Sequence, residues 1–166
     1  MDDTREPPWL DDEEQLAWIT LVSLLIRLPA ALDAQLQRDA GMSHFEYQVL
    51  VCLSQSTERM MRMSVLAKLV EGSLPRLSQV VSRLERRGWV RRAPDPDDGR
   101  YTLAILTDEG LEKVTQTAPG HVGEVRRLVF DPLNRLQVRQ LRQISRRIVR
   151  AIDPADLRYL DRWPDI

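Results

Sequence analysis

The stretch from Ser73 to Leu106, "SLPRLSQVVSRLERRGWVRRAPDPDDGRYTLAIL", limits the possible folds more than any other part of the chain. Ser73 is a helix cap and Pro75 falls in the first turn, where a missing N–H costs little. Leu77, Val81 and Leu84 recur at helical spacing, and Gly88 stops the helix. "WVRRA" then reads as a strand, "PDPDDG" as a turn and "RYTLAIL" as the returning strand.

The flanks supply the rest of the domain. Trp18, Leu21, Val22, Leu25, Leu28, Leu32 and Leu36 make a helical stripe from Asp11 to Arg38, with Pro29 expected to bend it. Ile19, Leu24 and Ile26 lie off that stripe, so this helix needs more than one neighbour. Gly41 closes it, and Ser43 with Glu46 is a capping box for a second helix reaching about Ser54. "SQSTERMMR" reads as a break, and Ser64 begins a short third helix ended by Gly72. After the hairpin, Thr107 opens a fifth helix that Pro119, Gly120 and Gly123 are expected to weaken in its middle. In the last helix Leu141, Ile144, Ile148 and Ile152 fall on one face, with arginines elsewhere. The expected order is α–α–α–α–β–β–α–α: mainly α, with a small β-hairpin.

With 166 residues, 43% hydrophobic and 30% charged, the chain is one folding unit with a core, completed by a partner chain where its own helices cannot cover each other. Its net charge of −1 hides a segregation. Asp2, Asp3, Glu6, Asp11, Asp12, Glu13 and Glu14 crowd the N-terminus, whereas Arg76, Arg83, Arg86, Arg87, Arg91 and Arg92 crowd the fourth helix and the strand after it. A local patch sets the field at an interface, so the weakly acidic total does not exclude a polyanionic partner. The acidic N-terminus lacks the basic region of a secretory signal. The apolar stretch from Leu16 to Leu32 contains Arg27 and Pro29 and falls short of the ~20 apolar residues a bilayer span needs. No membrane is implied, and the expected location is the cytoplasm.

Catalytic patterns fail. There is no phosphate-cradling glycine loop, no G-x-S-x-G elbow and no metal-ligand spacing, and His44 and His121 stand on different elements. The expectation is a chain that is not an enzyme, with no metal site and no cofactor. Cys52, the one cysteine, sits in an apolar run and reads as a small buried hydrophobe.

The fourth helix is the informative one. Opposite its apolar line a 100° step places Pro75, Gln79, Ser82 and Arg86, with Arg76, Ser78 and Arg83 on the flanks and Glu85 to one side. Hydroxyls, an amide and arginines without a carboxylate suit a helix that enters a DNA groove. The competing reading is a solvated polar face, which normally mixes charge signs. The third and fourth helices then make a helix-turn-helix and the hairpin makes it winged. Arg100 is placed to probe the adjoining minor groove, and Asp98, two residues before it, to hold the guanidinium by a charge-assisted hydrogen bond.

"MSHFEYQVLVCLSQ", "RMSVLAKLV", "SLPRLSQVVSRLERRGWVRR" and "DPDDGRYTLAILTDEG", taken in that order, resemble the winged helix of MarR-type transcription regulators over about residues 10–152. The Asp-x-Arg wing and the Leu-Thr-x-x-Gly helix start are the most specific part. The resemblance implies DNA contacts at Ser73, Pro75, Arg76, Ser78, Gln79, Ser82 and Arg83 on the helix and at Arg100 on the wing, although Pro75 departs from the usual reading helix. It implies terminal helices interlocked in a dimer and a small ligand near the junction that alters DNA affinity. The cysteine of the peroxide-sensing branch, near the start of the first helix, has no counterpart here.

The expectation is therefore a homodimeric regulator on double-stranded DNA with a palindromic operator, a repressor released by a small aromatic or anionic effector. Residues 41–119 are the winged helix-turn-helix lobe, and 1–40 with 120–166 are the dimerisation helices. Trp18 and Tyr47 are candidate aromatic walls for the effector and His44 or Arg27 its polar anchor. The rival assignment makes Trp18 and Tyr47 plain core. A rival function is a winged helix that binds protein and not DNA.

Overall fold

A computed structural model describes residues 8–153; Asp2, Asp3, Glu6 and the segment 154–166 lie outside the described residues. Helix α1 spans Asp12–Ala40 and runs on through Pro29 as one element. Its start is fixed by a reciprocal cap, Glu14 N–H on Asp11 Oδ1 at 2.8 Å and Asp11 N–H on Glu14 Oε2 at 3.0 Å. Helix α2, His44–Ser54, carries the capping box expected of Ser43 and Glu46. A 3-10 turn over Thr57–Arg59 follows, and then a strand, β1, over Met60–Arg62.

That strand corrects the sequence reading, which took the segment as a break. Three residues with one buried side chain, Met61, carry too little alternation to announce a strand. The pairing comes from elsewhere: Met60, Met61 and Arg62 face Ile105, Ala104 and Leu103, antiparallel. The sheet therefore has three strands, β1, β2 (Val90–Pro94) and β3 (Thr102–Leu106), with β3 in the centre. The centre strand is the one whose last four residues, Leu103 to Leu106, are all buried.

Between these strands lie α3, Met63–Leu69, and α4, Leu74–Arg86. Two glycines allow α4 to turn straight into β2 and the sheet to meet the next helix. Gly88 has φ +75°, a backbone that L side chains resist. A Cβ on Gly110 would collide with the Trp89 carbonyl. Around that close approach Thr107 Oγ1 donates to Gly88 O at 2.7 Å and accepts from Gly110 N–H at 3.0 Å, starting α5 (Asp108–Val125). The glycines and Pro119 do not interrupt α5; it packs along α1 and α2 and ends in one wide π turn, Arg126–Phe130. Helix α6 is Arg135–Ile152, capped by Asn134.

The core lies between α2, α3, α4 and the sheet, where Val49, Leu50, Leu53, Leu66, Leu77, Val81, Leu84 and Ala104 are fully buried. Outside it the apolar surface is uncovered. Leu16, Trp18, Ile19, Leu24, Leu25 and Ile26 of α1 are exposed, as are Ile144, Ile148, Val149 and Ile152 of α6. No residue of α6 is buried, and among the described residues the helix makes no extended contact with another element. By length and composition alone α1 is apolar enough to cross a bilayer, with mean hydropathy 1.6. Its C-terminal third argues for a different use, because Leu32, Gln35 and Leu36 are buried against the protein.

Candidate nucleic-acid interface

Leu77, Val80, Val81 and Leu84 turn one side of α4 into the core, so the opposite side must face outward. That side carries Pro75, Gln79 and Arg86, all exposed, and the half-buried Ser82. Ser73, exposed at the N-cap, accepts from Arg76 N–H at 3.4 Å, and Ser78 is half-buried toward the hairpin.

The two flanks are tied down differently. On the α2 side the Arg76 guanidinium lies 4.2 Å from the centre of the Phe45 ring. Arg83 donates through Nε to Glu46 Oε1 at 2.9 Å, and Arg87 donates to Gly41 O at 2.9 Å. Glu46 is 4% exposed. Burial alone would raise its pKa, but the Ser43 backbone N–H and the Arg83 guanidinium outweigh that, and the pKa falls below the ordinary value. On the hairpin side Arg92 holds Glu85 through Nε at 3.0 Å and Nη2 at 2.7 Å, and its Nη2 also reaches Ser82 Oγ at 3.0 Å. Glu85 is the one carboxylate of α4, so this pairing leaves the outward face net basic.

The wing tip is built as the sequence predicts. Arg100 lies on Asp98 as a two-point ion pair, Nε to Oδ1 at 2.9 Å and Nη2 to Oδ2 at 2.6 Å. The Arg100 side chain is 84% exposed, so the carboxylate aims the guanidinium without burying it. That ion pair, joined by the Arg100 backbone N–H, holds the Asp98 carboxyl below the usual carboxylate range.

Two residues at the wing base escape a sequence reading. Asp95 accepts from the Asp97 N–H at 2.9 Å and from Arg62 Nε at 2.5 Å, and both keep its pKa low. The Arg62 side chain also stacks 4.5 Å from the Tyr101 ring centre. An Asp two residues before an N–H it caps is a readable turn signal. Its partner is 33 residues away, on a strand the sequence does not announce.

A concavity lies alongside α4. A cleft of about 1030 Å³ is walled by α1, α2 and α5 on one side and by Arg76, Gln79, Val80 and Arg83 of α4 on the other. His44 and Tyr47, two of the four sequence candidates, line it. Trp18 and Arg27 do not, which corrects that expectation. Trp18 is 55% exposed and sits roughly 16 Å up the helix axis from Pro29. Arg27 is exposed on nearly the opposite side of α1 from Pro29. The sequence also missed His121. Its ring is 5.7 Å from that of His44 and 4.8 Å, edge to face, from Tyr47, and its Nδ1 lies 3.1 Å from Gln35 Oε1. Burial lowers the pKa of both histidines, and His44 lowers that of His121 further. Cys52 is half-buried on the same cleft wall. Among the described residues no three metal-ligating side chains converge.

Comparison with known proteins agrees with this geometry. The MarR family model matches residues 42–102, from just before α2 to the first residue of β3. Sco3205 of Streptomyces coelicolor, a MarR family transcriptional regulator solved in complex with DNA, is 47% identical and superposes with a TM-score of 0.86 over 93% of this chain and 96% of its own. AbsC, another MarR family regulator of the same organism, is 36% identical with a TM-score of 0.82 over 88% of this chain and 98% of its own. The transcriptional regulator PecS of Dickeya dadantii is 28% identical over 145 residues, 87% of this chain and 86% of its own. A capped reading helix, a cation-tipped wing and these likenesses along nearly the whole length lead to one assignment: the chain belongs to the MarR family of winged-helix, DNA-binding transcriptional regulators.

Proposed function

We propose that the chain works in the cytoplasm as a homodimer that holds a palindromic operator, represses transcription there, and lets go when a small aromatic or anionic molecule enters the cleft behind α4. Residues 41–119 are the reading lobe; 1–40 and 120–166 join the two copies. Helix α4 enters the major groove with Ser73, Pro75, Ser78, Gln79, Ser82 and Arg86 toward bases and phosphates, while Arg76 and Arg83 flank it. Arg100, aimed by Asp98, enters the adjoining minor groove.

The observation that carries the dimer is that both α6 and α1 leave an apolar face uncovered. Faces of this extent mark interfaces, and a two-fold partner covers both at once. Two reading helices then meet successive major-groove faces about 34–36 Å apart, and a protein lying across both excludes other machinery from that DNA. That Sco3205 was solved in complex with DNA supports DNA as the partner. Release follows from the cleft, since a molecule lodged between His44, Tyr47 and the α4 wall bears directly on the reading helix.

The test is a titration of a panel of aromatic carboxylates into the protein bound to a labelled duplex from its own upstream region. Loss of anisotropy together with a change in tryptophan fluorescence is the expected result. No displacement by any member of a broad panel would remove the effector from the proposal, and no complex with the duplex would remove the operator.

A further inference from the structure

The reading helix presents an apolar group where a polar one is expected. Pro75 is its second residue, exposed, and diametrically opposite the buried line of Leu77, Val80, Val81 and Leu84. No side chain of α4 stands further outward at the end that leads into a groove. Proline offers no N–H, so neither its ring nor its backbone nitrogen can donate to a base. Leu74 beside it is 50% exposed. Both line a concavity of about 440 Å³ between α4 and the wing, together with Met63 and Tyr101, with Arg100 and Ser78 on its wall.

The major-groove edges differ in one respect that matters to such a surface. Guanine and adenine present hydrogen-bonding atoms there and cytosine a donor beside a bare C5–H, whereas thymine alone carries a C5-methyl group. A pyrrolidine ring pressed on a polar edge strips its water and returns no hydrogen bond. Pressed on a methyl group, it buries apolar surface on both sides. Resting on the reading of α4 as the recognition helix of a two-fold dimer, we infer that Pro75 selects thymine, through its C5-methyl group, at one position in each half-site. Leu74 extends the apolar contact toward the wing. Sequence preference at that position arises from exclusion of unpaired polar edges, and at its neighbours from the donors Gln79 and Arg86.

The experiment uses the full-length protein and the duplex that it selects from a random library. Each thymine is replaced singly by deoxyuridine, which deletes the methyl group and keeps the pairing pattern. One symmetry-related thymine per half-site is expected to lose about fourfold in affinity, the worth of one methyl-sized group. In Pro75→Ser that loss disappears, while losses elsewhere stay as in the wild type. A second arm needs no variant: with cytosine at the same position, 5-methylcytosine should bind the wild type more tightly than cytosine by a similar factor. Methyl insensitivity at every thymine, or the same sensitivity in Pro75→Ser, overturns the inference while leaving the regulator intact. Failure to select any sequence would instead overturn the DNA-reading assignment beneath it.

Discussion

At the scale of single residues, Arg100 at the wing tip and Arg83, held by Glu46 of α2, give opposite expectations, for their side chains are 84% and 44% exposed. Among the described residues Arg100 pairs its side chain with Asp98, and neither belongs to the hydrophobic core. Arg100→Ala should therefore weaken operator binding in a filter or gel-shift assay and leave the thermal midpoint and the dimer unchanged. Because the minor groove distinguishes mainly A·T from G·C, the loss should be even across major-groove variants of the site. Asp98→Ala should give a milder form of the same loss, since it removes the aim and keeps the charge; wild-type affinity in Arg100→Ala would reduce the loop to a turn. Arg83 differs in having its Nε on a buried carboxylate of another helix. Arg83→Ala and Glu46→Gln should each shift α4 against α2 and weaken every sequence alike. Their coupling in a double-mutant cycle on stability should be about 1 kcal/mol, small because the guanidinium is 44% exposed. Additive effects would mean that the contact does not position the helix. The sequence placed Arg83 on a flank of α4 without choosing a side and said nothing of Glu46 as its partner, because a cap residue already has a local explanation for its carboxylate.

At the scale of elements, the packing of α5 on α1 and α2 brings together two histidines that are 77 positions apart in the chain, and this has a consequence for pH. Both imidazoles titrate below the ordinary value of about 6.5 because they are partly buried, and Asp33 opposes this only in part at His44. As pH falls through that value the unfolded chain takes up protons before the folded one. Stability is then fully present above it and declines as pH drops toward the folded-state pKa values. Melting curves between pH 7 and pH 5 should show a falling midpoint, and the double variant His44→Asn with His121→Asn should flatten that fall. An unchanged slope would show that the pair carries no linkage. Elements with local start and stop signals were legible in the sequence. Ser43, Ser73 and Thr107 all cap where their neighbours predict, and Gly41 and Gly88 end what they should end. What stayed hidden was whatever depends on two distant segments meeting. Strand β1 exists only because β3 is beside it, Asp95 matters only because Arg62 arrives, and the cleft acquires His121 only through the α5 packing.

At the scale of the whole molecule, the arginines proposed to face DNA lie on α4 and the wing, and the uncovered isoleucines lie elsewhere, Ile19 and Ile26 on α1 and Ile144, Ile148 and Ile152 on α6. DNA affinity should then report on dimerisation through its salt dependence alone. Each phosphate neutralised by a cation contributes about −0.9 to the slope of log K against log salt. The exposed Arg76, Arg86 and Arg91 of one lobe, doubled in a two-fold dimer, predict a slope of about −5. Replacing Ile144 and Ile148 by Asp puts carboxylates on the face proposed to pack against a second copy, at a desolvation cost of several kcal/mol. The core of the reading lobe contains no residue of α6, so the winged helix should keep its fold in that variant. Light scattering should report a monomer, and the salt slope should fall to about half, because one lobe now meets half the phosphates. Preference for a palindrome should vanish with it, since a lone reading helix spans a single half-site. A variant that still scatters as a dimer, or a monomer that keeps the full slope, would show that the partner is held by some other face of the chain.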